Sequence, residues 1–325
     1  MADTKDNKGP ATQESTFRKY NEQQGKAYAQ HRRDYNPSVY QAILDHHTST
    51  GGQLGTVIDV GCGPGNAVRS LAPHFAHAIG IDPSEGMIAA ARDLSTEART
   101  TAGESVFFKL STAEDLGGPD VAPDGGVDLI TAATAAHWFD MARFWPRAAR
   151  ALRPGGSVAI WCATGLRVHP STPAAESLQI AVDEHTDTYL KPYFVRGNFL
   201  VEERYEGLEL PWTLPEEVRR DHPELSVFDK ADFYHRVWSV DEHFYGENIV
   251  LDLDGVEKVL STASPVTRWR EAHPNDVGTE RDVMKVLRRK MEEILHGAGV
   301  ERGKEQVSGA TEGVMLIIKK KASGE

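Results

Sequence analysis

Three glycines at alternate positions, directly behind a β-branched apolar run, limit what this chain can fold into more than any other feature. The run is Thr56–Val60 (TVIDV), and the loop Asp59-Val60-Gly61-Cys62-Gly63-Pro64-Gly65 opens onto a helical pattern near 66–74. A short apolar run bounded by turn residues reads as a buried strand. Glycines behind it let the backbone take positive φ and pass close to a ligand. The first N–H groups of the next helix lack intrahelical partners and attract an anion or carboxylate. A second short run, Ala78–Ile81 (AIGI), ends in Asp82. In a doubly wound sheet an acid there accepts the ribose hydroxyls of a bound nucleotide. Together the loop and the acid point to an adenosine-containing ligand. The G-x-G-x-G spacing departs from the G-x-G-x-x-G of dinucleotide sites.

The rhythm continues downstream. Ser84 to Arg92 reads as a helix capped by Ser84 or Asp82, and Val106–Lys109 and Val127–Thr131 read as strands. Residues 140–152 form a helix stopped at Arg153-Pro154-Gly155-Gly156, followed by a strand at Ser157–Cys162. Strands alternating with helices imply a parallel sheet with right-handed crossovers. From about Gly165 to Asn275 the rhythm is lost, while aromatics are dense between Tyr189 and Trp269. A stretch that long is not one structureless loop in a compact domain, so a mainly helical cap over the ligand edge is expected. Residues 279–296 are a patterned helix, and Gln306–Val307 with Val314–Ile318 read as a terminal antiparallel hairpin about Gly309–Gly313.

Composition narrows the partners. The net charge of −12 opposes binding to phosphate backbones or anionic lipid, and no basic stripe interleaved with aromatics suggests a nucleic-acid partner. Two cysteines, Cys62 and Cys162, support neither a disulfide framework nor a cysteine zinc site, and no metal is expected. With no apolar leader and no run of about 18 apolar residues, a cytoplasmic location without membrane association is the expectation. Residues 1–16 are polar and read as a disordered tail.

The D-x-G-x-G-x-G form of residues 59–65 resembles the first motif of class I S-adenosylmethionine-dependent methyltransferases. Ala113-Glu114-Asp115-Leu116 resembles the A-E-x-L segment that lies along the adenine in that family, with Thr112 where many members carry Asp. Arg153–Ser157 resembles the L-x-P-G-G turn before the fifth strand. The His137-Trp138-Phe139-Asp140 segment, and Tyr28-x-x-x-Arg32 followed by Tyr35 and Pro37, resemble the trans-aconitate methyltransferase-like group, as do Leu200–Trp212 and Gly313–Lys319. Arg32-Arg33 stand where that group has Arg-Pro.

The resemblance implies a Rossmann-like, mostly parallel seven-stranded sheet. It implies a core over 17–165 with an N-terminal lid, a substrate cap over 166–275, and residues 276–325 completing the sheet. It implies S-adenosyl-L-methionine as cofactor. Asp59, Gly61, Cys62, Gly63 and Asp82 would form the loop side of its site, and Met87, Ala113, Glu114 and Thr134 the remainder. Tyr20, Tyr28 and Arg32 would fold over it, with Arg32 near the methionine carboxylate. The reaction would be in-line displacement at the sulfonium methyl carbon onto a small molecule.

His137 has two readings: a residue facing the transferred methyl that polarises or deprotonates the acceptor, or a buried histidine that shapes the pocket. His185, His235 and His243 are weaker candidate bases. A carboxylate acceptor is ionised at pH 7 and needs no base. Residues 166–275 hold 11 Lys and Arg against 21 Asp and Glu, so a polyacid would need converging arginines such as Arg196, Arg204 and Arg268. A neutral or cationic acceptor fits the charge equally well.

Overall fold

The computed structural model describes residue 18 and residues 20–31, 34–246 and 249–322; of Ala27, Gln30, His31 and Leu166 only the backbone is described. Arg32 and the expected tail at 1–16 lie outside these residues.

Helices α1 (Glu22–His31) and α2 (Pro37–Ser49) precede the glycine loop. Asn36 starts α2 by accepting the Ser38 N–H, with Pro37 at the first helical position where no N–H is needed. The alternation follows as expected: β1 (Thr56–Val60), α3 (Asn66–Leu71), β2 (His77–Asp82), α4 (Glu85–Leu94), β3 (Phe107–Leu110), β4 (Val127–Ala133), α5 (Met141–Ala151) and β5 (Leu152–Val168). Ser84 caps α4 and Asp140 caps α5. Beyond β5 come α6 (Ala175–His185), α7 (Arg196–Glu202), α8 (Glu216–Asp221), β6 (Tyr234–Trp238), β7 (Ile249–Asp252), α9 (Leu253–Leu260), α10 (Ser264–Ala272), α11 (Val283–Gly297) and β8 (Gln306–Lys319).

The sheet runs β3-β2-β1-β4-β5-β8-β6, with β7 also on β8. The first five strands pair in parallel, and β8 is antiparallel to β5, β6 and β7. The result is a mostly parallel α/β sheet of the Rossmann-like methyltransferase type with a largely helical insert. Chain order reverses between β1 and β4, which places the ligand crevice of a doubly wound sheet above their C-terminal ends.

Two details differ from expectation. Eight strands are described rather than seven, because β6 and β7 lie end to end along the two halves of β8. The terminal hairpin is instead the single strand β8. Gly313 is not a turn residue: it pairs with Ala163 and Trp238, and a Cβ there would lie 2.1 Å from the Phe244 ring. Glycine in a strand marks such a close approach as often as a bend.

Side-chain alternation along the strands divides the core. Ile58, Ile130 and Ile160 face Phe144 and Trp145 of α5, together with Leu208, Leu210 and Phe228. Val57, Leu129 and Trp161 face Ile43 of α2 and Leu71 of α3. Trp145 is fully buried and donates its indole N–H to the Glu209 carbonyl at 2.9 Å. Truncating such a side chain to Ala costs about 3–5 kcal/mol. The contact ties the core helix α5 to the irregular chain beyond α7.

Candidate functional site

The crevice above β1 and β4 holds a cavity lined by Gly61, Gly63, Asp82, Met87, Ala113, Glu114 and Thr134, with Tyr28 of α1 across it. The glycines show why only they fit. Gly61 (φ 65°) lies so close to the segment after β4 that a Cβ would sit 2.7 Å from the Ala135 Cβ. At Gly63 (φ 52°) a Cβ would meet nothing within 4 Å, so the left-handed φ rather than crowding is what favours glycine there. Gly65 (φ 84°) starts α3 in the left-handed region.

Asp82 is anchored rather than exposed. One carboxylate oxygen accepts the Gly63 N–H and the other the Ser84 N–H, each at 2.9 Å. Burial pushes its pKa up to about 6, against the lowering effect of those two N–H donors. Each oxygen keeps a lone pair, so the group can accept two hydroxyls from the cavity side. An open cradle at Gly63 beside a two-oxygen acceptor fits the ribose of an adenosine cofactor.

Asp59 and Cys62 lie beneath the loop and not on the cavity wall. Asp59 is fully buried, accepts the Thr131 hydroxyl at 2.7 Å, and is pushed up to about 7 by burial. It braces β1 against β4. Cys62 packs in the core, and burial raises its thiol pKa well above the ordinary value. Glu114 lines the cavity while its Oε1 accepts the Asp140 N–H at 2.9 Å, which secures the His137–Asp140 turn to the A-E-D-L segment.

Tyr20 does not line this cavity, but its ring stands edge-on to Tyr28 at 6.3 Å. Helix α1 reaches its position through glycine. A Cβ on Gly25 would lie 2.4 Å from the Gly86 carbonyl oxygen at the start of α4. Arg18 and Phe139 also line the cavity. Sequence reasoning names Phe139 only within the His137–Asp140 segment and misses Arg18, since an arginine in a polar N-terminal stretch carries no spacing signal.

A second cavity of about 350 Å³ adjoins the first, and Tyr28, Thr134 and Trp138 line both. Thr134 is a β-branched residue at φ 52°, a conformation that persists only when its surroundings impose it. Its N–H donates to the Trp161 carbonyl and its hydroxyl meets the Tyr35 hydroxyl, both at 2.7 Å. Tyr35 is itself boxed by Trp161, Phe244 and Tyr245.

His137 lines only the second cavity, among the apolar side chains of Leu190, Phe194, Val266, Met284 and Leu287. Its Nδ1 is 2.7 Å from the Tyr205 hydroxyl. His185 also lines this cavity, and burial lowers its pKa to about 4, so it is neutral at pH 7. His235 and His243 do not line it. Nor do the three arginines converge: Arg196 pairs with Glu209, Arg204 with Glu312, and Arg268 bonds Asn198 and the Tyr193 carbonyl. Arg167 is the arginine among the described lining residues, and it pairs with Asp183 at 3.7 Å. No helix among the described residues is long and apolar enough to cross a membrane.

Comparison with known proteins agrees with this geometry. Residues 58–160 match the methyltransferase domain family. A Dictyostelium discoideum protein classed with the methyltransferases is 38% identical over 136 residues, covering 42% of this chain and 46% of that protein. The trans-aconitate 2-methyltransferase of Variovorax paradoxus is 37% identical over 139 residues, covering 39% of this chain and 49% of that one. The aligned part thus spans about half the length of these relatives. A solved structure from Anaeromyxobacter dehalogenans, classed as a type II methyltransferase, shares the fold at a TM-score of 0.59 and 23% identity, covering 90% of this chain and 99% of that one. Residues 58–160 therefore match a methyltransferase domain, and the chain shares the fold of the Anaeromyxobacter structure.

Proposed function

We propose that this protein methylates a hydroxyl or amine on a largely apolar small molecule held in the second cavity, with residues 166–275 as its cap. The observation that carries the reading is the wall of Thr134 and Trp138 common to both cavities, with His137 beside it on the acceptor side. When bound, the cofactor supplies a methyl group already activated on a sulfonium sulfur. Asp82 would hold its ribose, the Gly61–Gly63 backbone would let it approach, and Tyr28 would cover it. Gly61, Gly63, Asp82, Met87, Ala113, Glu114 and Thr134 form its site in this reading, with Asp59 and Cys62 supporting from below and Tyr20 backing Tyr28. Trp138 would align the acceptor and exclude water. A hydroxyl or ammonium acceptor must lose a proton, and His137 would take it.

A carboxylate acceptor is the second reading, favoured by the name of the Variovorax relative. Against it, the described lining residues offer one arginine, already paired with an aspartate. A mass-spectrometric methyl-transfer assay separates the two. Purified protein and S-adenosylmethionine are offered trans-aconitate, related carboxylates, and sets of phenols and amines. Methyl ethers or methylamines support the first reading. Base-labile methyl esters formed from acids replace it with the second.

A further inference from the structure

We infer that Gly25 and Gly86 are positioning residues: together they form the seat that docks α1 on α4 and holds Tyr28 over the cofactor cavity. The inference rests on the cofactor reading of that cavity for its purpose, but the contact itself does not depend on it. A Cβ on Gly25 would lie 2.4 Å from the Gly86 carbonyl oxygen. In return, a Cβ on Gly86 would lie 2.3 Å from the Asn21 carbonyl oxygen and 2.4 Å from that of Tyr20. Each glycine thus faces backbone at the start of the other helix, which cannot swing aside as a side chain can. Both glycines are buried.

Space, not conformation, is the reason for glycine here, because neither residue has a positive φ. Both lie inside helices, where glycine is less stable than alanine. Two such residues at one contact mark a close approach that only glycine permits. The two helix starts are fixed independently. Asn21 and Gln24 cap α1 reciprocally, each side chain accepting the other's backbone N–H, at 2.9 and 3.0 Å. Ser84 caps α4 by accepting the Met87 N–H at 3.3 Å, and donates its own N–H to Asp82.

The seat sets one wall of the cavity against the other. Gly25 and Tyr28 are three residues apart and so share a face of α1, and Met87 follows Gly86 on α4. Tyr28 and Met87 both line the cavity with Asp82. Asp82 is therefore linked through Ser84, Gly86 and Gly25 to Tyr28 across the cavity. On its other side α1 borders an open groove of about 730 Å³ toward α9 and α10, which gives a displaced α1 room to move. The Lys26–Asp93 ion pair also joins α1 to α4, but both side chains are exposed and such a pair contributes little. The contact at the two glycines is buried backbone, and a single methyl group would break it.

Stopped-flow displacement of S-adenosylhomocysteine from the full-length protein tests this, with thermal melting of the ligand-free protein alongside. Gly25→Ala and Gly86→Ala should each speed release about tenfold. The melting temperature should fall by less than about 3 °C, since alanine favours each helix even as it breaks the contact. The double variant should release the ligand within about twofold of either single one, because the first methyl group already undocks α1. With Tyr28→Ala as background, Gly25→Ala should change release by less than about twofold. Unchanged release in both single variants, multiplied effects in the double one, or an undiminished effect of Gly25→Ala without Tyr28 overturns the inference. So does a melting temperature lowered by more than about 3 °C in both, which would make the pair ordinary core packing. A parent protein that does not bind S-adenosylhomocysteine overturns the cofactor reading instead. Hydrogen exchange of the ligand-free protein then decides the seat: α1 amides should exchange about tenfold faster in Gly86→Ala than in the parent, and unchanged exchange overturns it.

Discussion

The two cavities that meet at Thr134 and Trp138 are built from different materials. The cavity proposed for the cofactor takes one wall from backbone and short side chains at strand ends, Gly61, Gly63, Pro83, Ala113 and Ala135, with Asp82 as an acid fixed by two N–H groups. The cavity proposed for the acceptor is walled by side chains from several helices, such as Val182 of α6, Asn198 of α7, Val266 of α10 and Met284 of α11. A backbone site demands particular φ values and close approaches, and few residues satisfy them. A side-chain site demands only a shape, which many combinations fill. The first should therefore be brittle to single substitutions and the second tolerant, except where one polar group performs a specific task.

The sharpest break should come at Gly61. Valine there would need a positive φ for a β-branched residue and would drive a Cβ to 2.7 Å from that of Ala135. Gly61→Val should lower S-adenosylhomocysteine affinity by about 1000-fold, equivalent to about 4 kcal/mol. Calorimetry finding a loss under tenfold would mean the loop is not the rigid element of the site.

On the acceptor side, the exception should be His137. His137→Ala should lower kcat for a phenol or amine acceptor by about 100-fold while cofactor affinity stays within twofold. An unchanged kcat would make His137 one more piece of wall, and the contrast between the cavities would then be complete.

The same contrast explains what the sequence reveals. The D-x-G-x-G-x-G loop and Asp82 are legible because local backbone geometry dictates them residue by residue, whereas the Pro-Gly-Gly segment expected as a turn before the fifth strand lies inside β5 as an irregularity in its pairing with β4. Gly313 misleads, since a glycine that makes room for the Phe244 ring looks the same as one that makes a turn. Strands β6 and β7 are hard to see because they are short, half-exposed and set among dense aromatics. Thr134 reads as a site residue only through the family resemblance, and its left-handed strain is invisible without coordinates. Tyr205 pairs with a histidine 68 residues away, and no spacing rule reaches across that distance.

Asp82 sets binding against stability. Asp82→Ala should weaken S-adenosylhomocysteine binding by about tenfold or more, through loss of the two-oxygen acceptor. Burial raises its pKa to about 6 in the folded chain, from about 3.9 when unfolded. The folded state therefore holds this proton more tightly, so the group's contribution to stability is full below about pH 3.9 and is lost as pH rises to about 6. Cofactor affinity should run the opposite way, falling as pH drops through about 6 and the carboxylate is protonated. Asp82→Asn removes the buried charge but sets its amide NH2 against one of the two N–H donors, so it should weaken binding and lower the melting temperature of the cofactor-free protein at pH 7.5. A melting temperature that rises at pH 7.5 would show that relief of the buried charge outweighs the lost N–H bond.

The smallest effect is expected at Arg196, and it bears on the nature of the acceptor. A polyacid in the second cavity would need its charge met by arginines, and Arg196 would be one of few available in residues 166–275. In the structure Arg196 pairs with Glu209 at 3.3 Å and its side chain is 59% exposed. Such a surface pair contributes about 0–1 kcal/mol, and it leaves the guanidinium facing water rather than the cavity. Arg196→Ala should therefore change the acceptor KM by less than about twofold. If KM for a carboxylate acceptor instead rose tenfold or more with kcat intact, Arg196 would have to swing into the cavity when substrate binds. The acceptor wall would then be an electrostatic device rather than an apolar shape, and its tolerance to substitution would disappear with that change.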